Sequence, residues 1–235
     1  MSSSLLFDAR MKTPFTCVLA GSPLSGKTSF VRTLLQQRWK FIDHKIDYLV
    51  WFYGQTNSFV DSLRNQVLGI PTTVVYQLPD TGFEQFIQRD KRGLIVIDDL
   101  MQTAGESKQV TDLFCNKVQH LNVSVILLMQ NLFYHGKERT TLLRCAHYLV
   151  VFKNPLDASV PMHLSQRLMP LQRKLFVRMF EHATKPAYGY LYIDGRQTTP
   201  DAARFRTNIF DPNGVQHGYN LSSSGDDDVV KQQQI

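Results

Sequence analysis

The chain has 235 residues, enough for one large domain with a substantial core or for two small ones. Hydrophobic residues make up 43% and charged residues 20%, which excludes a disordered or fibrous chain and describes a globular one. Twenty-six basic against twenty acidic residues give a net charge of +6, compatible with a nucleic-acid partner without demanding one.

In chain order, apolar runs at residues 15–20, 48–53, 73–77, 94–98, 124–129 and 148–152 read as strands. Helix-compatible stretches lie among them at 28–38, 57–66, 82–88, 107–119 and 138–143, with two more at 160–168 and 171–182. Several strands are apolar throughout rather than alternating, as expected when helices cover both faces of a parallel sheet. The pattern predicts a doubly wound α/β domain, with a late strand at 188–194 for an edge. Residues 1–12 read as an N-terminal extension, 13–210 as the folded domain and 211–235 as a polar, disordered tail. The start lacks the basic and apolar regions of a signal peptide, and no apolar run approaches the ~20 residues of a membrane span. Cys17, Cys115 and Cys145 stand far apart with no metal-ligand spacing, which points to buried thiols in a reducing compartment.

The segment Gly21, Ser22, Pro23, Leu24, Ser25, Gly26, Lys27, Thr28 follows the first apolar run and opens a helix. This is the G-x-x-x-x-G-K-T phosphate-loop pattern (Walker A) in its strand–loop–helix setting. Successive backbone N–H groups and the positive helix end make an anion nest. Lys27 is expected to reach the β- and γ-phosphates of ATP, and the Thr28 hydroxyl to hold Mg²⁺. Gly21 permits the sharp exit from the strand, and Gly26 lets phosphate approach the backbone.

The run Leu94, Ile95, Val96, Ile97, Asp98, Asp99 supplies a buried strand with two carboxylates at its end, where parallel sheets bind ligands. Asp98 suits the Mg²⁺ shell (Walker B), and Asp99 suits orientation or deprotonation of the attacking water. About seventy residues separate Lys27 from Asp98, with two strand candidates between them. An extra strand is therefore expected between the loop strand and the acidic strand, as in motor ATPases. No N-K-x-D base-reading motif appears, which disfavours a GTPase. Gln130, and next Asn131, end the following strand as candidate γ-phosphate sensors. Arg139, Arg144 and Arg167 are candidates for an arginine acting on a neighbour's site, with Arg139 first.

With these residues go others: Val110 to Phe114, Gln130 to Phe133, His135 to Lys137, Ala146 to Pro155, Ala183 to Pro186 and Tyr188 to Asp194. Together they resemble the packaging ATPases of the FtsK/HerA superfamily, those of eukaryotic double-stranded DNA viruses (the poxvirus type) and of Polinton- or adintovirus-like elements. The resemblance runs from about residue 13 to 210. It implies a RecA-like P-loop NTPase of the ASCE type, mostly parallel, with helices on both faces. It also implies a homo-oligomeric ring that uses ATP to move double-stranded DNA into a preformed capsid, with viral capsid proteins as partners. The setting it implies is the host cell interior, in the nucleus or at a cytoplasmic assembly site. Two positions depart from the pattern: Asp99 stands where relatives often carry Glu, and Leu156 where many carry Arg.

Plainer explanations compete at several places. Asn154-Pro155 also reads as a turn signal, and Trp51, Phe52 and Tyr53 as core rather than a stacking platform for DNA. His120, His135 and His147 show no metal spacing, and Lys137, Arg139, Arg173 and Lys174 are weak candidates for DNA contact. Two other functions fit the same motifs: an AAA+ or helicase-type replication ATPase, and a capsid-assembly factor that uses ATP as a switch.

Overall fold

A computed structural model describes residues 7–66, 68–100, 107–133, 138–212, 216–219 and 232–234. Among the described residues, ten strands form one sheet: β1 (Thr16–Ala20), β2 (Tyr48–Tyr53), β3 (Thr72–Tyr76), β4 (Gly93–Asp98), β5 (Val123–Met129), β6 (Tyr148–Phe152), β7 (Tyr190–Asp194), β8 (Phe205–Thr207), β9 (His217–Tyr219) and β10 (Gln232–Gln234). Their spatial order is β10-β9-β8-β7-β6-β1-β5-β4-β2-β3. From β6 to β3 every pairing is parallel; from β7 to β10 the sheet is antiparallel.

The helices are α1 (Lys27–Gln36), α2 (Arg38–Phe41), α3 (Ser58–Arg64), α4 (Lys108–Asp112), α5 (Arg139–Cys145), α6 (Val160–Leu168), α7 (Arg173–Ala183) and α8 (Asp201–Arg204). Alternate residues of each central strand feed two cores. Cys17, Leu19, Leu49, Trp51, Leu94 and Val96 pack under α1 and α3. Val18, Val50, Phe52, Ile95 and Ile97 pack under α4 to α7. Two-sided burial explains why these strands carry no polar face. The aromatic run is core as its bland reading had it: Trp51 and Phe52 are fully buried.

Local sequence sets the helices. Phe30, Val31, Leu34 and Leu35 give α1 one apolar stripe. Asn57 caps α3 by accepting from the N–H groups of Phe59 and Val60, each at 3.0 Å. The expected helix at 82–88 is only a 3₁₀ turn, Glu84–Phe86. The expected helix at 107–119 splits into α4 and a π-helical turn, Leu113–Lys117.

Three expectations need correction. The expected strand between β1 and β4 is present, but it is β5, which follows the acidic strand in sequence; the two candidates that suggested it, β2 and β3, lie outside β4. The segments set aside as extension and tail join the fold: Met11 is buried, and β9 and β10 extend the sheet past residue 210. Cys115 and Cys145 are joined by a disulfide, leaving Cys17 as the buried free thiol. Their partnership comes from packing of the π-helical turn on α5, which a 30-residue separation does not reveal. Among the described residues, no helix is long and apolar enough to cross a membrane.

Candidate nucleotide site

The C-terminal ends of β1, β4 and β5 meet at one edge of the sheet, so the segments that leave them converge. Gly21 leaves β1 with its N–H on Met129 O, at 3.2 Å. A Cβ at Gly21 would lie 2.7 Å from both Phe152 Cβ and Ser25 Oγ, so only glycine fits the exit. Leu24 and Gly26 have left-handed φ angles of 62° and 105°, and no side chain caps α1. The first-turn N–H groups of α1 therefore face the loop without a side-chain acceptor, as an anion site requires. Lys27 Nζ donates to Gly21 O at 2.7 Å and Ser22 O at 2.9 Å, folding the ammonium across the loop.

Thr28 starts α1 beside the acidic strand: its hydroxyl donates to Asp98 Oδ2 at 3.5 Å. Asp98 is 6% exposed. Burial, reinforced by the charge of Asp99, pushes its pKa up to about 6 against the opposing pull of Lys27 and Thr28. Burial lowers the pKa of Lys27, while Asp98 and Asp99 favour its charged form. A buried carboxyl and a hydroxyl at this spacing form a hard-oxygen pair of the type Mg²⁺ takes. The residues present therefore fit a nucleotide–Mg²⁺ complex.

Asp99 is held in the left-handed region, φ 54°. Gln130 Nε2 donates to Asp99 Oδ1 at 2.6 Å. The expected neighbours are thus in contact, across the β4–β5 pairing. Sequence reasoning missed Gly54. Its N–H donates to Asp98 O at 3.0 Å, and a Cβ there would lie 2.4 Å from Asp99 O. The signal was available: Gly54 follows an apolar strand as Gly21 does.

Asn131 Oδ1 accepts from Phe133 N at 2.7 Å and serves its own turn, so Gln130 is the residue that meets the acidic pair. Arg139 opens α5, with its side chain outside the described parts; Arg144 and Arg167 are exposed on α5 and α6. His135 and Lys137 lie outside the described residues, and Arg173 and Lys174 are exposed at the start of α7. Asn154 makes the turn its sequence suggested, its Oδ1 accepting from Leu156 N at 3.1 Å. His147 Nδ1 accepts from Thr16 N at 3.0 Å, and no cluster of metal-ligating side chains occurs among the described residues.

A glycine-rich loop between β1 and α1, with an acidic strand one place removed, defines a P-loop NTPase of the class with an intervening strand. The sequence matches the Poxvirus A32 protein family over residues 4–181, and the chain belongs to that family of packaging ATPases. The chain is therefore a genome-packaging ATPase, which decides against the replication-ATPase and assembly-switch alternatives. No curated sequence matches it. Among solved structures it is similar to B204, the DNA-packaging ATPase from Sulfolobus turreted icosahedral virus. That match has a TM-score of 0.55 and 15% identity, over 80% of this chain and 96% of that one. B204 from Sulfolobus turreted icosahedral virus 2 in complex with ATPγS gives 0.51 and 14%, over 79% and 95%. The complex with AMPPCP gives 0.52 and 16%, over 80% and 96%. At these identities the likeness is one of fold.

Proposed function

We propose that this chain is the motor that drives double-stranded viral DNA into a preformed capsid, working as a homo-oligomeric ring in the host cell interior. The observation that carries the reading is the convergence of Lys27, Thr28, Asp98, Asp99 and Gln130 at one sheet edge. Lys27 releases the loop carbonyls and takes the β- and γ-phosphates of ATP, while the loop N–H groups and the α1 terminus hold the remaining charge. Thr28 and Asp98 are the residues that would hold Mg²⁺, which when bound neutralises charge on the phosphates.

Asp99 orients the attacking water and accepts its proton. Gln130 keeps that carboxylate in place and senses the terminal phosphate. The shorter Asp99, in place of the Glu of many relatives, is brought forward by its left-handed backbone and by Gly54, which leaves room for the Asp99 carbonyl. Arg139, at the head of α5, is assigned to a neighbouring subunit's site, where a cation stabilises charge developing on the transferred phosphoryl group. Contacts with DNA run along the phosphate backbone, so they are independent of base sequence and weaken with salt. Viral capsid proteins are its further partners.

The test is ATP hydrolysis with and without long duplex DNA, with sizing of the same sample. The reading expects DNA-stimulated turnover by an oligomer. A nucleotide-bound monomer with turnover indifferent to DNA would contradict it.

A further inference from the structure

The phosphate loop has two flanks. On one, β5 and β4 present Gln130, Asp99 and Asp98; on the other, β6 pairs with β1 and ends at Phe152. Beyond β6, between loop residues 22–25 and the segment that leaves α7 at 184–189, lies a cavity of about 340 Å³. None of the hydrolysis residues lines it. The Lys-Asn-Pro and Thr-Lys-Pro segments, distant in sequence, meet there through Lys153, Pro155, Lys185 and Pro186.

We propose that this cavity is the nucleoside subsite of the ATPase, with Tyr188 as the shelf on which the base stacks. The assignment rests on reading the loop as a phosphate site. A phosphate chain lying along the loop with its terminal group toward Asp99 must project its nucleoside the other way, toward β6. The cavity lies at that end and falls within the size range of small-ligand sites.

Tyr188 is built for a ligand rather than for the core. Its side chain is 72% exposed, yet its backbone is left-handed, φ 60°, a conformation unfavourable for an aromatic residue. The turn that imposes this is rigid: Gly189 N donates to Pro186 O at 3.0 Å and Thr184 Oγ1 to Phe180 O at 2.8 Å. A Cβ on Gly189 would lie 2.5 Å from Ala183 O, so the turn requires glycine beside the tyrosine. Strain that places a large ring in solvent gains nothing from packing. The ring stands against the loop, where a Cβ on Gly26 would be 3.4 Å from Tyr188 Cβ and Cδ1. Ser25 also lines the cavity, and its Oγ is buried beside the wall without a hydrogen-bond partner.

The walls also set specificity. Among the described residues, no carboxylate and no side-chain amide lines the cavity. With only hydroxyls, lysines and backbone groups to meet the base edge, the walls grip the faces of a base and the charge of its phosphates more than they distinguish adenine from guanine. ATP and GTP therefore bind within about tenfold of each other.

Calorimetry on the full chain with ATP, GTP and inorganic tripolyphosphate tests this. Tyr188→Ala is expected to weaken ATP about tenfold or more and to leave tripolyphosphate within about twofold, with Tyr188→Phe close to wild type. Lys27→Ala weakens both ligands. Equal loss of ATP and tripolyphosphate in Tyr188→Ala, unchanged ATP affinity there, or GTP more than about a hundredfold weaker than ATP would overturn the subsite. If the wild type binds tripolyphosphate as tightly as ATP, the subsite fails and the phosphate site stands. If it binds neither, the phosphate site itself fails and the subsite falls with it.

Discussion

The two halves of the sheet are built on different physics. The parallel half, β6-β1-β5-β4-β2-β3, is held by apolar side chains buried on both faces, and its C-terminal edge carries the proposed nucleotide site. The antiparallel half, β7 to β10, ends in three short strands and is organised around buried charge. Asp194, fully buried, accepts from Arg196 at 2.7 Å and from Arg206 at 3.1 Å. Arg206, 1% exposed, also donates to Ala9 O at 2.8 Å and Gln216 Oε1 at 2.7 Å, tying the backbone near Ala9 and the Gln216 side chain to the sheet. The hydrophobic half presents the chemistry; the charged half closes the fold around it.

Substitutions in each half separate the two roles. Lys27→Ala is expected to lower ATP hydrolysis by about 10³-fold while costing less than about 1.5 kcal/mol of stability, since only its bonds to the Gly21 and Ser22 carbonyls are lost. Arg206→Ala should do the reverse. Asp194 keeps Arg196 but loses one of its two cations, and Ala9 O and Gln216 Oε1 lose their donor, at a cost of about 1–3 kcal/mol read by urea unfolding. Below the transition its hydrolysis stays within about threefold of wild type. A loss of activity without a loss of stability would erase the contrast. Gly54→Ala couples the two, because its Cβ collides with the Asp99 carbonyl. The expectation is a loss of about 1–3 kcal/mol together with slower turnover. Gln130→Ala comes next, with a drop of about tenfold in kcat and little change in stability. Leu156→Ala, at a side chain 96% exposed, should move unfolding by less than about 0.5 kcal/mol.

The same contrast governs what the sequence reveals. The central strands were legible because two-sided burial writes an unbroken apolar run, and β2, β4, β5 and β6 lie within a residue of their expected bounds. The loop and the acidic pair were legible because their residue types are dictated by phosphate and metal chemistry. β8, β9 and β10 were not, since Phe205-Arg-Thr, His217-Gly-Tyr and Gln232-Gln-Gln carry no strand pattern and pair through long-range contacts. Gly54 carried a local sign in its place after an apolar strand, but what it makes room for, the Asp99 backbone forty-five residues away, is not written beside it. Tyr188 was expected inside a strand that begins only at Tyr190, because an aromatic residue gives no local sign of a left-handed turn. The Cys115–Cys145 bond was likewise invisible in spacing.

The central claim is that Asp99, set by its backbone and by Gln130, performs the chemical step rather than holding nucleotide. Single-turnover hydrolysis by Asp99→Asn at saturating ATP, with ATP affinity measured on the same protein, tests it most directly. The account predicts affinity within about threefold of wild type and a chemical step slower by about 10²–10⁴-fold. A chemical step at the wild-type rate would contradict it.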